Sequence, residues 1–287
     1  MQETGLKNKI ATPAQKILEC KDHLVSGEKF EILDLKNGIL KTDPFPEDLN
    51  KYYQSEDYIS HTDSSKTFQD KIYQIVKNKM LSKKASWINT LSKTGKILDY
   101  GAGTGDFLNR MKFDGWEVEG VEPNYTARNL GIKKGLEISS ELENISETQF
   151  DVITLWHVLE HIPDYQNVVD LLKAKLKPGG FLVIAVPNFK SFDAFYYNNK
   201  WAAWDVPRHL WHFSRKGLKN TIEENGFSLL QEKPLIFDSY YVSLLSEKNK
   251  GSRFPFPKAL LRGFISNLNA RGTGEYSSLT YFFQKND

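Results

Sequence analysis

Three closely spaced glycines and two acidic residues lie near the middle of the chain in an order suited to nucleoside binding. Gly101, Gly103 and Gly105 follow Asp99, and their missing side chains allow unusual backbone dihedrals and let a ligand lie against the main chain. Glu122 ends the next apolar run, where a carboxylate can accept both hydrogen bonds of a ribose diol. Asp99 is placed to meet a cationic or amine-bearing group. The spacing therefore predicts a nucleoside-binding loop.

The glycine spacing also discriminates between nucleoside ligands. The dinucleotide fingerprint is G-x-G-x-x-G, whereas Gly101, Gly103 and Gly105 form G-x-G-x-G directly after an acid. This pattern points away from a pyrophosphate. The plain alternative is a glycine-rich turn without a ligand, in which Glu122 is a solvated acid.

A second polar group follows the apolar run Phe150–Leu155 and contains His157, Glu160 and His161. Residues four apart share one face of a helix, so the two imidazoles would lie together. That spacing suits a metal, but two histidines alone are weak evidence for one. We therefore predict no metal and interpret the group as site-lining residues that also anchor the start of a helix.

The segment from residue 188 to 213 is rich in aromatic and polar side chains. Aromatic walls with a few convergent polar groups are typical of a ligand pocket, so we interpret this segment as a substrate lid. The alternative is that it covers a sheet edge or forms a dimer contact. Its side chains of interest are Phe192, Phe195, Tyr196, Tyr197, Trp201, Trp204, Asp205, Arg208, His209, Trp211, His212 and Phe213.

Alternating strand and helix signals would position these groups. Such alternation is typical of βαβ units and of a parallel sheet covered on both faces. Helical spacing predicts a helix through Phe68 and Met80 and a second helix ending near Leu91. The predicted strands, in order, are Lys96–Tyr100, Trp116–Glu122, Phe150–Leu155, Phe181–Val186, Ser228–Gln231 and Leu279–Phe283, with helices over 168–176, 214–226 and 257–269 between the later ones.

From about residue 95 to 232 the chain resembles the class I S-adenosylmethionine-dependent methyltransferases, in particular the bacterial group that includes the ubiquinone-biosynthesis O-methyltransferase. The fold implied is α/β, a Rossmann-like doubly wound sheet, mostly parallel with an antiparallel last strand. The matching stretches are Ile97–Leu108, Gly120–Pro123, Phe150–Ile153, His157–His161, Leu176–Gly180 and the run ending in Pro207-Arg208-His209.

The resemblance implies S-adenosylmethionine as the methyl donor and assigns roles to particular residues. Methyl transfer from a sulfonium is an in-line displacement, so the protein mainly aligns the reactants and excludes water. Gly101, Gly103 and Gly105 would contact the methionine moiety and Glu122 the ribose. The other expected contacts with the cofactor are Asp99, Glu141, Leu142 and Trp156; those with the acceptor are Trp204, Arg208 and His209; and the candidate catalytic bases are His157, His161 and His209.

The resemblance extends to the N-terminal region, in which we expect an arm over residues 1–62 before a methyltransferase domain over 63–287. Related proteins carry a zinc ribbon here, but Asp34 and Asn37 stand where its cysteines would be, so we expect that metal to be lost. The run Phe30–Leu33 predicts one strand of a small hairpin. Tyr58 and His61 are candidates to close over the cofactor.

Composition narrows the class of partner. The formal charge is +2, from 38 basic and 36 acidic residues mixed along the chain, which gives no electrostatic case for nucleic acid. We therefore expect a small-molecule acceptor. No stretch is apolar for long enough to cross a bilayer and the N-terminus lacks a signal-peptide pattern, so we expect a cytoplasmic protein.

The leading hypothesis is methyl transfer, first of all to an oxygen atom. Two other functions stay open. One is an NAD(P)-dependent oxidoreductase on a similar sheet, which the glycine spacing disfavours. The other is a non-catalytic module that binds S-adenosylmethionine and acts through interaction. The sequence sets neither the acceptor nor the oligomeric state.

Overall fold

Two sheets organise the computed structural model, which describes residues 14–53, 68–146 and 149–287. The strands are β1 Gln15–Lys21, β2 Lys29–Asp34, β3 Ile39–Asp43, β4 Lys96–Tyr100, β5 Glu117–Val121, β6 Glu137–Ser139, β7 Phe150–Trp156, β8 Leu176–Pro187, β9 Trp211–Phe213, β10 Phe227–Pro234 and β11 Ser278–Lys285. Seven of them form the central sheet in the order β10-β11-β8-β7-β4-β5-β6, and four form a smaller sheet in the order β1-β2-β3-β9.

Helices cover both faces of the central sheet. The α-helices of the described residues are α1 Phe68–Leu91, α2 Asp106–Phe113, α3 Tyr125–Lys133, α4 Tyr165–Lys175, α5 Phe192–Tyr197, α6 Arg215–Glu224, α7 Asp238–Asn249 and α8 Pro255–Thr273. Buried side chains of α1 and α2 pack on one face, and those of α4 and α6 pack on the other.

Strands β4 to β8 are parallel to one another, and β11 pairs with β8 and β10 in antiparallel fashion. Successive residues of a strand face opposite sides; Ile153 therefore joins the core on one face and Val152 the core on the other. Both are fully buried, which explains why β7 reads as a continuous apolar run. The predicted doubly wound sheet with an antiparallel last strand is confirmed.

Two of the differences between the structure and the predicted elements have a clear physical reason. The two predicted helices before Leu91 form the single helix α1, since no proline or glycine interrupts residues 68–91. Helix α7, which was not predicted, carries buried Ser239, Ser243 and Ser246 instead of an apolar stripe, so hydrophobic periodicity gave no signal for it.

The small sheet joins the N-terminal arm to the aromatic segment. Strand β3 pairs with β9, which belongs to residues 188–213, and the predicted strand Phe30–Leu33 lies within β2. Buried side chains of both parts share one core, including Phe30, Ile32, Trp201 and Trp204. The arm therefore has little core without the segment that it covers.

Among the described residues, no helix is both long and apolar enough to cross a membrane.

The arm docks on the first turn of α6 through a close approach of two backbones. Ser214 Oγ donates a hydrogen bond to the carbonyl oxygen of Gly38 over 2.7 Å. A Cβ added to Gly217 would lie 2.2 Å from that same carbonyl oxygen. Any side chain at position 217 would therefore push β3 and its turn away from the helix.

We expect Gly217→Ala to lower the free energy of unfolding by about 1–3 kcal/mol, as overpacking of a close contact does. The matched control is Gly272→Ala, also within a helix, where an added Cβ meets no atom within 4 Å. Because alanine favours helix, that control should be neutral or stabilising by up to about 1 kcal/mol. Urea denaturation of both variants measures the difference, and equal stabilities would contradict the close approach.

Candidate functional site

The glycine loop lies where the strand order reverses. Strand β4 is flanked by β5 on one side and by β7 on the other, and ligands of open α/β sheets bind beyond the carboxyl ends of the strands at such a point. Gly101, Gly103 and Gly105 follow β4 with φ values of 82°, 54° and 75°. This left-handed backbone region favours glycine at all three positions.

The three glycines have different surroundings. A Cβ on Gly101 would lie 2.3 Å from Val158 Cγ2, and one on Gly105 would lie 2.4 Å from Leu136 Cδ1. A Cβ on Gly103 would meet nothing within 4 Å. Gly101 and Gly105 therefore let the loop pack on the protein, whereas Gly103 leaves an open face against which a ligand can lie.

Glu122 adjoins this open face. Its Oε2 accepts a hydrogen bond from the Gly103 N–H over 2.8 Å, and its Oε1 accepts one from the Asn124 N–H over 2.8 Å. These two contacts fix the carboxylate beside the loop. A carboxylate has about four lone-pair sites, so each oxygen keeps capacity for a hydroxyl donor, as contact with a ribose requires.

Asp99 is almost fully buried at the end of β4 and accepts a hydrogen bond from Thr154 Oγ1 over 2.6 Å. Burial raises the pKa of this carboxyl to about 7, although the hydrogen bond opposes the shift. Asp99 is thus a buried carboxyl directly before the glycine loop. Its predicted contact with an amine of the ligand stays a prediction.

The other predicted cofactor residues follow neighbouring strands. Glu141 is exposed, and Leu142 is buried at the start of a 3-10 helix after β6. Trp156 ends β7, and Lys84 Nζ lies 4.3 Å from the centre of its ring. Lys84 comes from α1 and was not predicted, because nothing in a helix sequence shows which face meets a distant strand.

His157 is held between two carboxylates. Its φ of 57° is unusual for a residue other than glycine. Nε2 lies 3.1 Å from Asp238 Oδ2, and Nδ1 lies 3.5 Å from Glu160 Oε1. Burial alone disfavours the charged ring, but these carboxylates outweigh it and raise the pKa of His157 to about 9. His157 is therefore an imidazolium at neutral pH, which does not suit its predicted role as a base.

His161 and His209 lie together on the side of the aromatic segment, with ring centres 4.6 Å apart. Burial and the neighbouring His209 lower the pKa of His161 to about 4, so His161 is neutral. The carboxylate of Glu160 joins the two imidazoles, and one ligand atom from each residue lies within 4.8 Å of the others. In the sequence, Glu160 and His161 are adjacent, but nothing there shows that His209 lies beside them.

Arg208 is buried and its guanidinium contacts protein on several sides. It pairs with Asp205 at 2.6 Å and with Asp22 at 3.0 Å, and it donates a further hydrogen bond to the carbonyl oxygen of Tyr52 over 3.1 Å. The acceptor contact that the resemblance implied for Arg208 is not supported by this placement. Its donors are used to join the arm to the aromatic segment.

Trp204 is also buried, and its Nε1 donates to the carbonyl oxygen of Asn198 over 2.8 Å. Its ring packs edge-on against Trp201 and His212. Trp204, which we predicted to line a pocket wall, is therefore part of a packed core, because the arm covers it. Tyr58 and His61 lie outside the described residues.

A family model for the methyltransferase domain matches residues 74–232 of this chain. This range is more than half of the sequence and includes the glycine loop, Glu122, the His157–His161 group and His209.

Curated relatives match a shorter part. The ubiquinone biosynthesis O-methyltransferase of Salmonella arizonae is 34% identical over 103 residues, which are 32% of this chain and 43% of that protein. The protein of the same name from Klebsiella pneumoniae is 33% identical over the same shares. The match thus spans less than half the length of these relatives.

Solved structures share the fold at low sequence identity. Magnesium protoporphyrin IX methyltransferase from Synechocystis, solved with bound S-adenosylhomocysteine, covers 81% of this chain and 96% of its own with a TM-score of 0.55 and 12% identity. A SAM-dependent methyltransferase from Thermotoga maritima covers 76% of this chain and 95% of its own, with a TM-score of 0.51 and 17% identity.

The charge of His157 can be measured by its imidazole resonances in a pH titration by NMR. We expect a midpoint near 9 for His157 and near 4 for His161. The stabilisation that His157 contributes is complete below its ordinary pKa of 6.5 and is lost as the pH rises through about 9. Asp238→Asn should lower the midpoint of His157 and leave that of His161 in place. A midpoint near 6.5 in the unmodified chain would contradict the assignment.

Proposed function

This chain belongs to the methyltransferase-domain family, and we propose that it transfers a methyl group from S-adenosylmethionine to an oxygen atom of a small-molecule acceptor. The donor follows from the family and from the loop described above. Oxygen as the acceptor atom is supported by the curated relatives, which are named O-methyltransferases.

The observation that carries the proposal is the pairing of Gly103 with Glu122. The Gly103 nitrogen lies 2.8 Å from Glu122 Oε2 at the point where the strand order reverses. The backbone face at Gly103 is open, because an added Cβ would meet no atom within 4 Å. Since a carboxylate can accept both hydroxyls of a ribose, this pair suits a nucleoside. The loop lacks the third glycine position that a pyrophosphate requires.

When bound, S-adenosylmethionine supplies a methyl group on a positively charged sulfur. The tasks left to the chain are to align the acceptor oxygen with that group, to exclude water and to remove the hydroxyl proton. His157 keeps its own proton at neutral pH and is suited to hydrogen-bond donation. Of the predicted bases, His161 is neutral, and its Nδ1 contacts a carbonyl oxygen, so Nε2 keeps the lone pair that a base needs.

Calorimetry with S-adenosylhomocysteine and with NAD tests the donor directly. We expect binding of S-adenosylhomocysteine and no comparable heat with NAD, because the loop lacks the dinucleotide spacing. Preference for NAD would overturn the proposal in favour of an oxidoreductase.

Two substitutions test the assigned contacts. Glu122→Ala should weaken binding of S-adenosylhomocysteine by roughly 10- to 100-fold, since hydrogen bonds to a charged group contribute about 1.5–3 kcal/mol. Gly103→Ala should weaken it by at least about tenfold, because its Cβ enters the face reserved for the ligand. The measurement is titration calorimetry.

Each substitution has a matched control. Glu117→Ala removes an exposed carboxylate from the other end of the same strand. Gly135→Ala carries the same backbone strain, with a φ of 76° and no atom within 4 Å of the added Cβ. Both controls should bind as the unmodified chain does. Unchanged affinity in Glu122→Ala would refute the ribose contact.

Catalysis is separated from binding by a screen of hydroxyl-bearing small molecules monitored by release of S-adenosylhomocysteine. Turnover with a hydroxyl acceptor supports the enzyme. Tight binding of S-adenosylhomocysteine without turnover on hydroxyl, amine or carbon acceptors would favour a non-catalytic module.

A further inference from the structure

We propose that Glu160, His161 and His209 bind a divalent transition-metal ion. One ligand atom from each of the three residues lies within 4.8 Å of the others. The proposal does not depend on methyl transfer, because it rests on the surroundings of these three side chains alone.

Glu160 carries the strongest indication. Its residue is 1% exposed, and neither carboxylate oxygen has a hydrogen-bond partner. His157 Nδ1, at 3.5 Å, is too far away for a good hydrogen bond. The His157 imidazolium compensates part of the buried charge, but both carboxylate oxygens keep lone pairs that no hydrogen-bond donor occupies. Glu160 is therefore placed as a metal ligand would be.

Both histidines have the tautomer that a metal requires. His161 Nδ1 lies 2.9 Å from the carbonyl oxygen of Arg208, and His209 Nδ1 lies 2.9 Å from that of Ala203. A carbonyl oxygen only accepts hydrogen bonds, so each Nδ1 carries the proton and each Nε2 keeps its lone pair. Metal-binding histidines are oriented in this way by a carbonyl or carboxylate behind the ring.

The chemistry of the group agrees with a cation. One oxygen of Glu160 and one ring nitrogen of each histidine lie within 4.8 Å of one another, and Asp205 Oδ2 lies 3.9 Å from His209 Nε2. The ligand set thus consists of one carboxylate and two imidazoles, with a second carboxylate nearby.

Two imidazoles and one carboxylate favour zinc or iron over magnesium or calcium, which prefer oxygen ligands. Zinc ligands lie about 2.0–2.2 Å from the ion, so neighbouring ligand atoms of a tetrahedral site are about 3.3–3.6 Å apart. Ligand atoms that lie within 4.8 Å of one another must therefore approach by up to about 1.5 Å when the ion binds. Three protein ligands leave one position for a water molecule.

The metal would join two parts of the fold. Glu160 and His161 belong to the 3-10 turn after β7, and His209 belongs to the aromatic segment. The backbone N–H of Leu210 already donates to the carbonyl oxygen of Glu160 over 2.8 Å. The ion would occupy the same lone pair of His161 that a base would use, so metal binding and proton acceptance by His161 exclude each other.

The test uses the full chain without an affinity tag, treated with a chelator, incubated with zinc chloride and desalted. Mass spectrometry of the metal content should give about one zinc per chain. Replacement by Co²⁺ should give visible absorption bands of a nitrogen- and oxygen-coordinated ion. Glu160→Gln and His209→Gln should each lower zinc affinity by at least about tenfold, since even residues behind the ligands cost that much.

His23→Gln is the control, because it removes a histidine outside the group, and it should keep the zinc. Circular dichroism and thermal melts of each metal-free variant establish that it is folded, and His161→Asn replaces any variant that is not. The proposal is overturned if the unmodified chain retains no zinc, or if folded Glu160→Gln and His209→Gln bind zinc as it does. Binding of S-adenosylhomocysteine, measured on the same samples, reports separately on the methyl-donor site.

Discussion

The joint between the arm and the aromatic segment depends on the buried guanidinium of Arg208. It pairs with Asp22 of the arm and with Asp205 of the aromatic segment, and it is 1% exposed. Removing one partner of such a group leaves an uncompensated charge and typically costs about 3–5 kcal/mol. The backbone carbonyl of Arg208 also orients His161. One residue therefore both joins the two segments and orients an imidazole.

The glycine loop depends on backbone geometry instead of ion pairs. Gly103 and Glu122 come from successive strand ends and are joined by a hydrogen bond between a main-chain N–H and a carboxylate. The parallel sheet itself brings these two residues together. The loop and the aromatic segment are therefore held by different kinds of interaction. His157 is held by two carboxylates, one from the turn after β7 and one from α7.

The glycine loop and Glu122 could be predicted from the sequence because their signals are local. The glycine spacing, the acid after the next strand and the apolar runs each lie within about twenty residues, and parallel strands bring their ends together by rule. The contacts of the aromatic segment are not local: His209 packs against His161, and Arg208 pairs with Asp22, across long stretches of chain. Aromatic composition at Trp204 suggested a pocket wall, whereas coverage by the arm makes it core. Contacts between segments that are distant in sequence produce no periodic pattern from which they could be predicted.

Strand β9 has only three residues, Trp211–Phe213, yet it closes the small sheet on β3 and touches Asn188 after β8 through Phe213. A chain without the arm would expose the edge of β9, and unpaired edges invite association with other chains. The arm and the aromatic segment are consequently one structural unit, because each covers a sheet edge that the other would otherwise leave open.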